Sequence, residues 1–335
     1  MSIPCEAGPA TTTQRPAPNS IRRTITIDGH RPEGIRGPIR LSGAGRDLAT
    51  TSSQTSVVGS AKFALSIVSD ADYEIDSIAS HPDLNLSEVL LTTSARKGLR
   101  RRVETLTDDT RPSSSLLVAM LDDIPIAAGL SRLSMIHKEA RVPISIGRRR
   151  NPVSKGHPIG ICAGWVADST MRASLEAGNS PLLHDGVPAV AITSDDEEAW
   201  HPLVPVEPNG YRRWRRVDVD ANGDGATISL DCFFRDSYVD DAGLERIEHE
   251  YTITAAIDRT TLIITDCRAT AGVLPSTDCE NAVPSARSLI GSTIEDAKWM
   301  ARRDLIGANT CTHLTDTLVS LMSVGSLIRQ LDEIE

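Results

Sequence analysis

A chain of 335 residues, 40% of them hydrophobic, is long enough for two domains or one duplicated unit around a buried core, which excludes global disorder. Its formal net charge of −10 excludes a broad nucleic-acid surface, because such surfaces neutralise phosphates with clustered Lys and Arg. No apolar run approaches the roughly 20 residues of a membrane helix, and the N-terminus lacks the charged-then-apolar layout of a secretion signal, so the expectation is a cytoplasmic protein with no membrane or nucleic-acid partner. Two basic clusters, Arg100-Arg101-Arg102 and Arg148-Arg149-Arg150, read as a solvated helix face and a loop. The six cysteines, at positions 5, 162, 232, 267, 279 and 311, are too scattered for a disulfide scaffold and are expected as thiols.

Residues 1–20, rich in Pro, Thr, Ala and Ser, are expected as a disordered tail. Thr24–Asp28, Ile39–Leu41 and Ala61–Val68 alternate as strands, and Tyr73–Ile78 returns antiparallel after the Ser69–Asp72 turn. From Leu86 the spacing of Val89, Leu90, Ala95, Leu99 and Val103 becomes helical, and a second helical stretch runs from Leu116 to Leu130. Residues 138–208 break the pattern with Pro and Gly, and a connection of that length is expected to fold over the rest. In the second half Ala226–Phe234, Glu248–Ile257 and Thr261–Arg268 read as strands, separated by turn signals at Asn222–Gly225 and Asp258–Thr260. A helix follows near Asn281–Leu289 and stops at Gly291; Ser292 or Thr293 caps the next, which Gly307 ends, and a last helix runs from Thr312 through Leu327.

The order of the first half recurs in the second. Arg46-Asp47 returns as Arg235-Asp236 after 189 positions and Ser94-Ala95-Arg96 as Ser285-Ala286-Arg287 after 191, while Arg22-Arg23 is matched to Arg215-Arg216 ahead of the run Val217–Asp220. The expected fold is therefore α+β, two pseudo-symmetric repeats of antiparallel strands followed by helices. The units are residues 21–137, without ligands, and 209–335, joined by 138–208.

His249, Cys279, Cys311 and His313 belong to the second unit alone, at element ends that can converge on one side of a sheet. Thiolate and imidazole are the ligand types that zinc and iron take, so these four are the candidate metal set, with Asp278 and Glu250 as substitute oxygen ligands. Asp236 and Glu250 are the candidate proton carriers, although Arg46-Asp47 in the ligand-free unit favours a structural Arg-Asp pair. Cys162, near His157 or His184 in sequence, is a candidate nucleophile, whereas Cys232 and Cys267 lie in alternating strands and read as core.

The stretch from His249 to Leu327 resembles the iron–sulfur cluster assembly scaffolds of the IscU and NifU type. The matching pieces are Ile264–Arg268, Cys279 leading to Ala282–Leu289, Gly291–Ala297 and Cys311-Thr312-His313-Leu314. That resemblance implies an IscU-like second unit, but Cys311-x-His313 stands where the scaffolds have His-Cys, and His249 near their early cysteine, which suits mononuclear zinc or iron better than a cluster. Nearly the whole chain also resembles a bacterial family of uncharacterised function. It shares Cys162-Ala163-Gly164-Trp165, Phe234–Ser237, His249-Glu250-Tyr251 and Thr310–Leu314 with that family.

The functional expectation is a metal-dependent enzyme of the lyase, isomerase or hydrolase class, with a small-molecule substrate whose carbonyl or hydroxyl is polarised, or with an activated water. The alternatives are a metal or iron–sulfur carrier and a ligand-binding module with a structural metal. Homo-oligomerisation is left open.

Overall fold

The computed structural model describes residues 8–69, 72–106, 111–132, 135, 159–177, 186–192, 198–221, 225–321 and 324–334. The expectations for Cys5, His157, His184, Arg148-Arg149-Arg150 and the Asn222-Gly223-Asp224 part of a turn lie outside these residues.

Alternation along β1 (Ser20–His30) and β6 (Tyr211–Ala221) gives each strand two distinct faces, and these strands pair antiparallel at the centre of one sheet, Arg23 opposite Val217 and Ile25 opposite Arg215. Antiparallel neighbours extend the sheet on both sides. β2 (Ile39–Thr50), β3 (Thr55–Ile67) and β4 (Ile75–His81) follow β1; β7 (Thr227–Val239) and β8 (Glu245–Asp258) follow β6. The outer side of β8 carries both the short β5 (Val187–Pro188) and β9 (Ile264–Val273).

Helices cover one face. α1 (Leu86–Leu90), α2 (Leu99–Glu104), α3 (Pro112–Asp122) and α4 (Ile124–Leu130) build a core with Ile25, Ile27, Leu41 and Phe63. A 3₁₀ segment (Thr277–Leu289) builds a second core with Ile21, Val219 and Ile253. α6 (Ile294–Asp304), α7 (Thr312–Ser320) and α8 (Val324–Ile334) complete that core, while α5 (Thr170–Glu176) lies in the connection. On the other face Trp214 and Phe233 pack with Ile192, Ala199 and Trp200 of the connection. Residues 8–19, expected as a tail, carry no regular secondary structure but lie against this face. The Ala10 N–H donates to Glu250 Oε1 at 2.6 Å, and Arg22 donates to the Gln14 carbonyl at 2.8 Å. Among the described residues no single helix is long and apolar enough to cross a membrane.

The fold is α+β, with a nine-stranded antiparallel sheet among the described residues, and in each half the long strands precede the helices. Reciprocal ion pairs across β1 and β6 fix the correspondence between halves: Arg22 to Asp218 and Arg212 to Asp28, each with its shortest contact at 2.6 Å. Arg22-Arg23 therefore corresponds to Arg212-Arg213, and the match to Arg215-Arg216 is displaced by three residues. Likewise the isolated bridges Glu74 to Ser94 and Ile263 to Thr293 pair Ser94 with Thr293 rather than with Ser285. Two expected helices also differ. The ring of Pro284 would clash with the carbonyl four residues back in an α-helix, and Thr277–Leu289 winds as 3₁₀. The stretch Leu86–Val103 is interrupted between α1 and α2 by the Ser94 bridge and by Gly98, whose φ of 76° lies in the left-handed region that glycine adopts without a Cβ clash.

Candidate metal centre

His249, Cys311 and His313 come together with ligand atoms all within 4.8 Å of one another. β8 supplies His249, opposite Asp236 of β7 and next to a register shift between Asp236 and Ser237. Bulges of this kind re-aim side chains beside functional sites. α7 supplies the other two residues, Cys311 as its N-cap and His313 in its first turn. The imidazoles of His249 and His313 stack with centroids 3.6 Å apart and planes inclined by 18°, and His313 Nδ1 lies 3.8 Å from Cys311 Sγ. Bond lengths of ~2.3 Å to sulfur and ~2.05 Å to nitrogen around a tetrahedral zinc imply a ligand-to-ligand separation of about 3.6 Å, close to the one found.

Electrostatics favour ligand protonation states. Burial, followed by the neighbouring His313, pushes His249 down to about 3, and burial together with Arg213 pushes His313 down to about 3. Both rings are neutral at physiological pH and keep a lone pair for a metal. His249 is 9% exposed, and its Nδ1 is buried without a hydrogen-bond partner. Burial raises the Cys311 thiol, opposed by hydrogen bonds from the Tyr251 hydroxyl and from the Leu314 and His313 backbone N–H groups. Its position at a helix N-terminus also favours the thiolate.

Asp236 stands behind His313, its Oδ2 3.6 Å from Nε2, longer than a hydrogen bond. The carboxylate is fully buried and held by Arg213 through Nε and Nη2, each at 2.9 Å, and by the Tyr211 hydroxyl at 2.5 Å. Arg213 continues to Asp316 at 2.5 Å and Asp123 at 3.2 Å, and Arg215 binds the same two carboxylates. Burial pushes Asp316 up, but Arg213, Arg100 and Arg215 outweigh it and hold the group below the carboxylate range; at Asp123 burial prevails and raises it. Sequence reasoning missed Arg213 and Asp316. The available signal was the density of arginines in Arg212–Arg216, too many for a strand that pairs on both sides unless carboxylates answer them.

The remaining candidates fall elsewhere. Cys279 lies outside the 4.8 Å group but close enough to Cys311 and Cys162 that, after burial, those two thiols raise its own. Its Sγ would sit 2.7 Å from a Cβ at position 164, so Gly164 is what lets the turn Ala163–Trp165 rest on it. Asp278 caps the start of α5, accepting from Thr170 N at 2.8 Å. Glu250 follows His249 directly in β8 and therefore points through the opposite face, where Arg235 Nε donates to it at 2.6 Å. Burial pushes Cys162 up to about 11, away from an activated thiolate. Cys232 and Cys267 are core thiols raised by burial.

Residues 211–326 match the family described as "Protein of unknown function (DUF2889)". The matched span runs from β6 into α8 and contains His249, Cys279, Cys311 and His313. No curated protein and no solved structure matches the chain.

Proposed function

We propose that this protein is a mononuclear metal enzyme in which His249, Cys311 and His313 hold zinc or iron and a small organic substrate meets the metal at a remaining position. The observation that carries this reading is the buried, unpartnered Nδ1 of His249 beside two further ligand-type side chains. A buried imidazole nitrogen without a partner is costly, and a metal satisfies it. Three protein ligands leave one tetrahedral position open, as in catalytic zinc sites. The bound metal would polarise a carbonyl or hydroxyl, or lower the pKa of a water, in a lyase, isomerase or hydrolase reaction.

The chain's own part is positioning. A proton on His313 Nε2 faces Asp236 Oδ2 and leaves the Nδ1 lone pair beside Cys311 Sγ. Arg213 and Tyr211 fix Asp236 in turn, so its task is to orient the ligand rather than to move a substrate proton. Glu250 takes no part, because its carboxylate lies on the other face of the sheet.

The proximity of Cys279 to Cys311 favours a second reading, a closed structural site or an iron–sulfur carrier with more than one thiolate. Elemental analysis of protein purified without chelator, with an absorption spectrum and a sulfide assay, separates them. About one zinc or iron per chain, lost in Cys311→Ser but kept in Cys279→Ser, supports the open three-ligand site. Loss in both variants moves the assignment to the closed site, acid-labile sulfide moves it to the carrier, and a metal-free wild type ends all three.

A further inference from the structure

Four sulfurs from separate segments meet at one edge of the candidate metal centre, and three of them, those of Cys162, Cys279 and Met171, are not among its ligands. Two hydrogen-bonded joints bring them there. The Ala163 N–H donates to the Thr310 carbonyl at 2.8 Å, which joins the peptide units Cys162-Ala163 and Thr310-Cys311. Thr170 donates to Asp278 Oδ2 through its N–H at 2.8 Å and its hydroxyl at 2.6 Å, which fastens the start of α5 to the 3₁₀ segment and brings Met171 to Cys279. Between the joints lies Gly164. A Cβ on it would have Cys279 Sγ at 2.7 Å and Met171 Sδ at 3.3 Å as its nearest atoms, so a thiol and a thioether face the same point.

Thiols and thioethers also pack as hydrophobes, but that role does not require them to meet. With six cysteines and six methionines in 335 residues, sulfur is too sparse for this gathering to follow from composition. Cys279 and Met171 are buried, whereas Cys162 is half-buried and opens the group to solvent. Cys162 and Cys311 are near enough to Cys279 for both to raise its thiol. Thiolate and thioether together are soft ligands of the kind that select copper(I). A structural zinc takes four ligands and iron–sulfur clusters are held by thiolates, while copper(I) accepts a pair or a triangle of sulfurs and tolerates a thioether among them.

We infer that Cys162, Cys279 and Met171 form a second metal position, for a soft monovalent cation of the copper(I) kind, beside the candidate site of His249, Cys311 and His313 and independent of it. Cys162 and Cys279 bind as thiolates, each releasing its proton to water, and Met171 binds through its neutral thioether with no proton to lose. The ion enters from the Cys162 side and keeps its oxidation state throughout. Cys311, with His313 Nδ1 at 3.8 Å, stays with the imidazole site.

The test uses the full chain, reduced and under anaerobic conditions, with copper(I) alone in competition with the chromophoric chelator bathocuproine disulfonate. The wild type is expected to hold about one copper(I) per chain. Cys162→Ser and Cys279→Ser should each weaken that binding about tenfold or more, and Met171→Leu, which keeps the volume of the side chain, should weaken it as well. Cys162 is half-buried, so its variant keeps the test open where a change at a buried position prevents folding, as read by circular dichroism. His313→Ala should leave copper(I) affinity unchanged, so that a failure here and a failure of the zinc or iron reading appear in different variants. Copper(I) held as tightly by folded Cys162→Ser and Met171→Leu as by the wild type, copper(I) lost in folded His313→Ala, or none retained by the wild type against the chelator would each overturn the proposal.

Discussion

The two halves share a frame and differ at one corner of it. In the first, Asp47 of β2 is held by Arg23 and lies opposite Gly59 of β3; in the second, Asp236 of β7 is held by Arg213 and lies opposite His249 of β8. Both pairs sit at a register shift, and both are approached by the first turn of a helix. There the first half has Arg111 as N-cap and Ser113 in the turn, the second Cys311 and His313. A Cβ at position 59 would lie 3.1 Å from Pro112, so glycine lets α3 touch the strand, and Ser113 Oγ accepts directly from the Ser60 N–H at 3.1 Å. In the second half the same gap holds two stacked imidazoles. An ion pair found in both halves is thus frame, while the residues found in one half alone make the candidate site.

The largest effect should follow from removing a ligand. Cys311→Ser or His313→Ala is expected to take bound metal from about one per chain to background, while Ser113→Ala leaves it unchanged, as read by elemental analysis of purified protein. Metal retention in folded Cys311→Ser would break the contrast between the halves.

Next in size is the frame itself. Arg213→Met takes the two-pronged partner from the fully buried Asp236, leaving it the Tyr211 hydroxyl, and removes one of the arginines that Asp123 and Asp316 share with Arg215, so it should destabilise the protein by about 3–5 kcal/mol in urea unfolding. Arg23→Met should cost less, since it strands Asp47 alone, and Asp47 keeps Gln330 Nε2 at 3.2 Å. Equal costs would show that the two ion pairs bear the same burden despite their different surroundings.

Asp236→Asn probes how the frame serves the site. Loss of the charge behind His313 should weaken metal binding about 10–100-fold, measured by competition with a chromophoric chelator, whereas Asp47→Asn should leave that affinity as it is.

Much of this contrast was legible in the chain. Element ends placed His249, Cys311 and His313 on the second unit, and period-two alternation gave β1, β3 and β8 in outline. Thr293 caps α6 as its spacing predicts, accepting from Asp296 N. Glu250 was misplaced against that same period, for consecutive strand residues cannot serve one face. Arg213 and Asp316 were missed for a different reason, since the run of arginines signals answering carboxylates without saying which. Their partnership joins β6 to α7, segments 103 residues apart whose contact no local pattern encodes. Cys279 lies outside the group of three, on the 3₁₀ segment Thr277–Leu289 and against Gly164, a placement that spacing along the chain does not encode.

The smallest effect concerns the sheet's other face, where the halves also part. On β1, Thr24 and Thr26 hold His201 of the connection, its Nδ1 2.9 Å from one hydroxyl and its Nε2 3.0 Å from the other. The corresponding β6 residues are Trp214 and Arg216, and Trp214 instead meets Trp200 edge-on at 5.1 Å. Burial, followed by Arg46, Arg212 and Lys62, pushes His201 down to about 3. Between that value and the ~6.5 of an unfolded histidine, the unfolded chain binds a proton that the folded chain does not. Stability from this group is therefore complete above about pH 6.5 and lost progressively as pH falls towards 3. His201→Gln keeps a side chain able to bond both threonines but cannot take up the proton, so its urea midpoint should fall less steeply than the wild type's between pH 6.5 and 4. Parallel slopes would mean that His201 is protonated in place, and that the connection does not discriminate the halves by burying a neutral ring on β1.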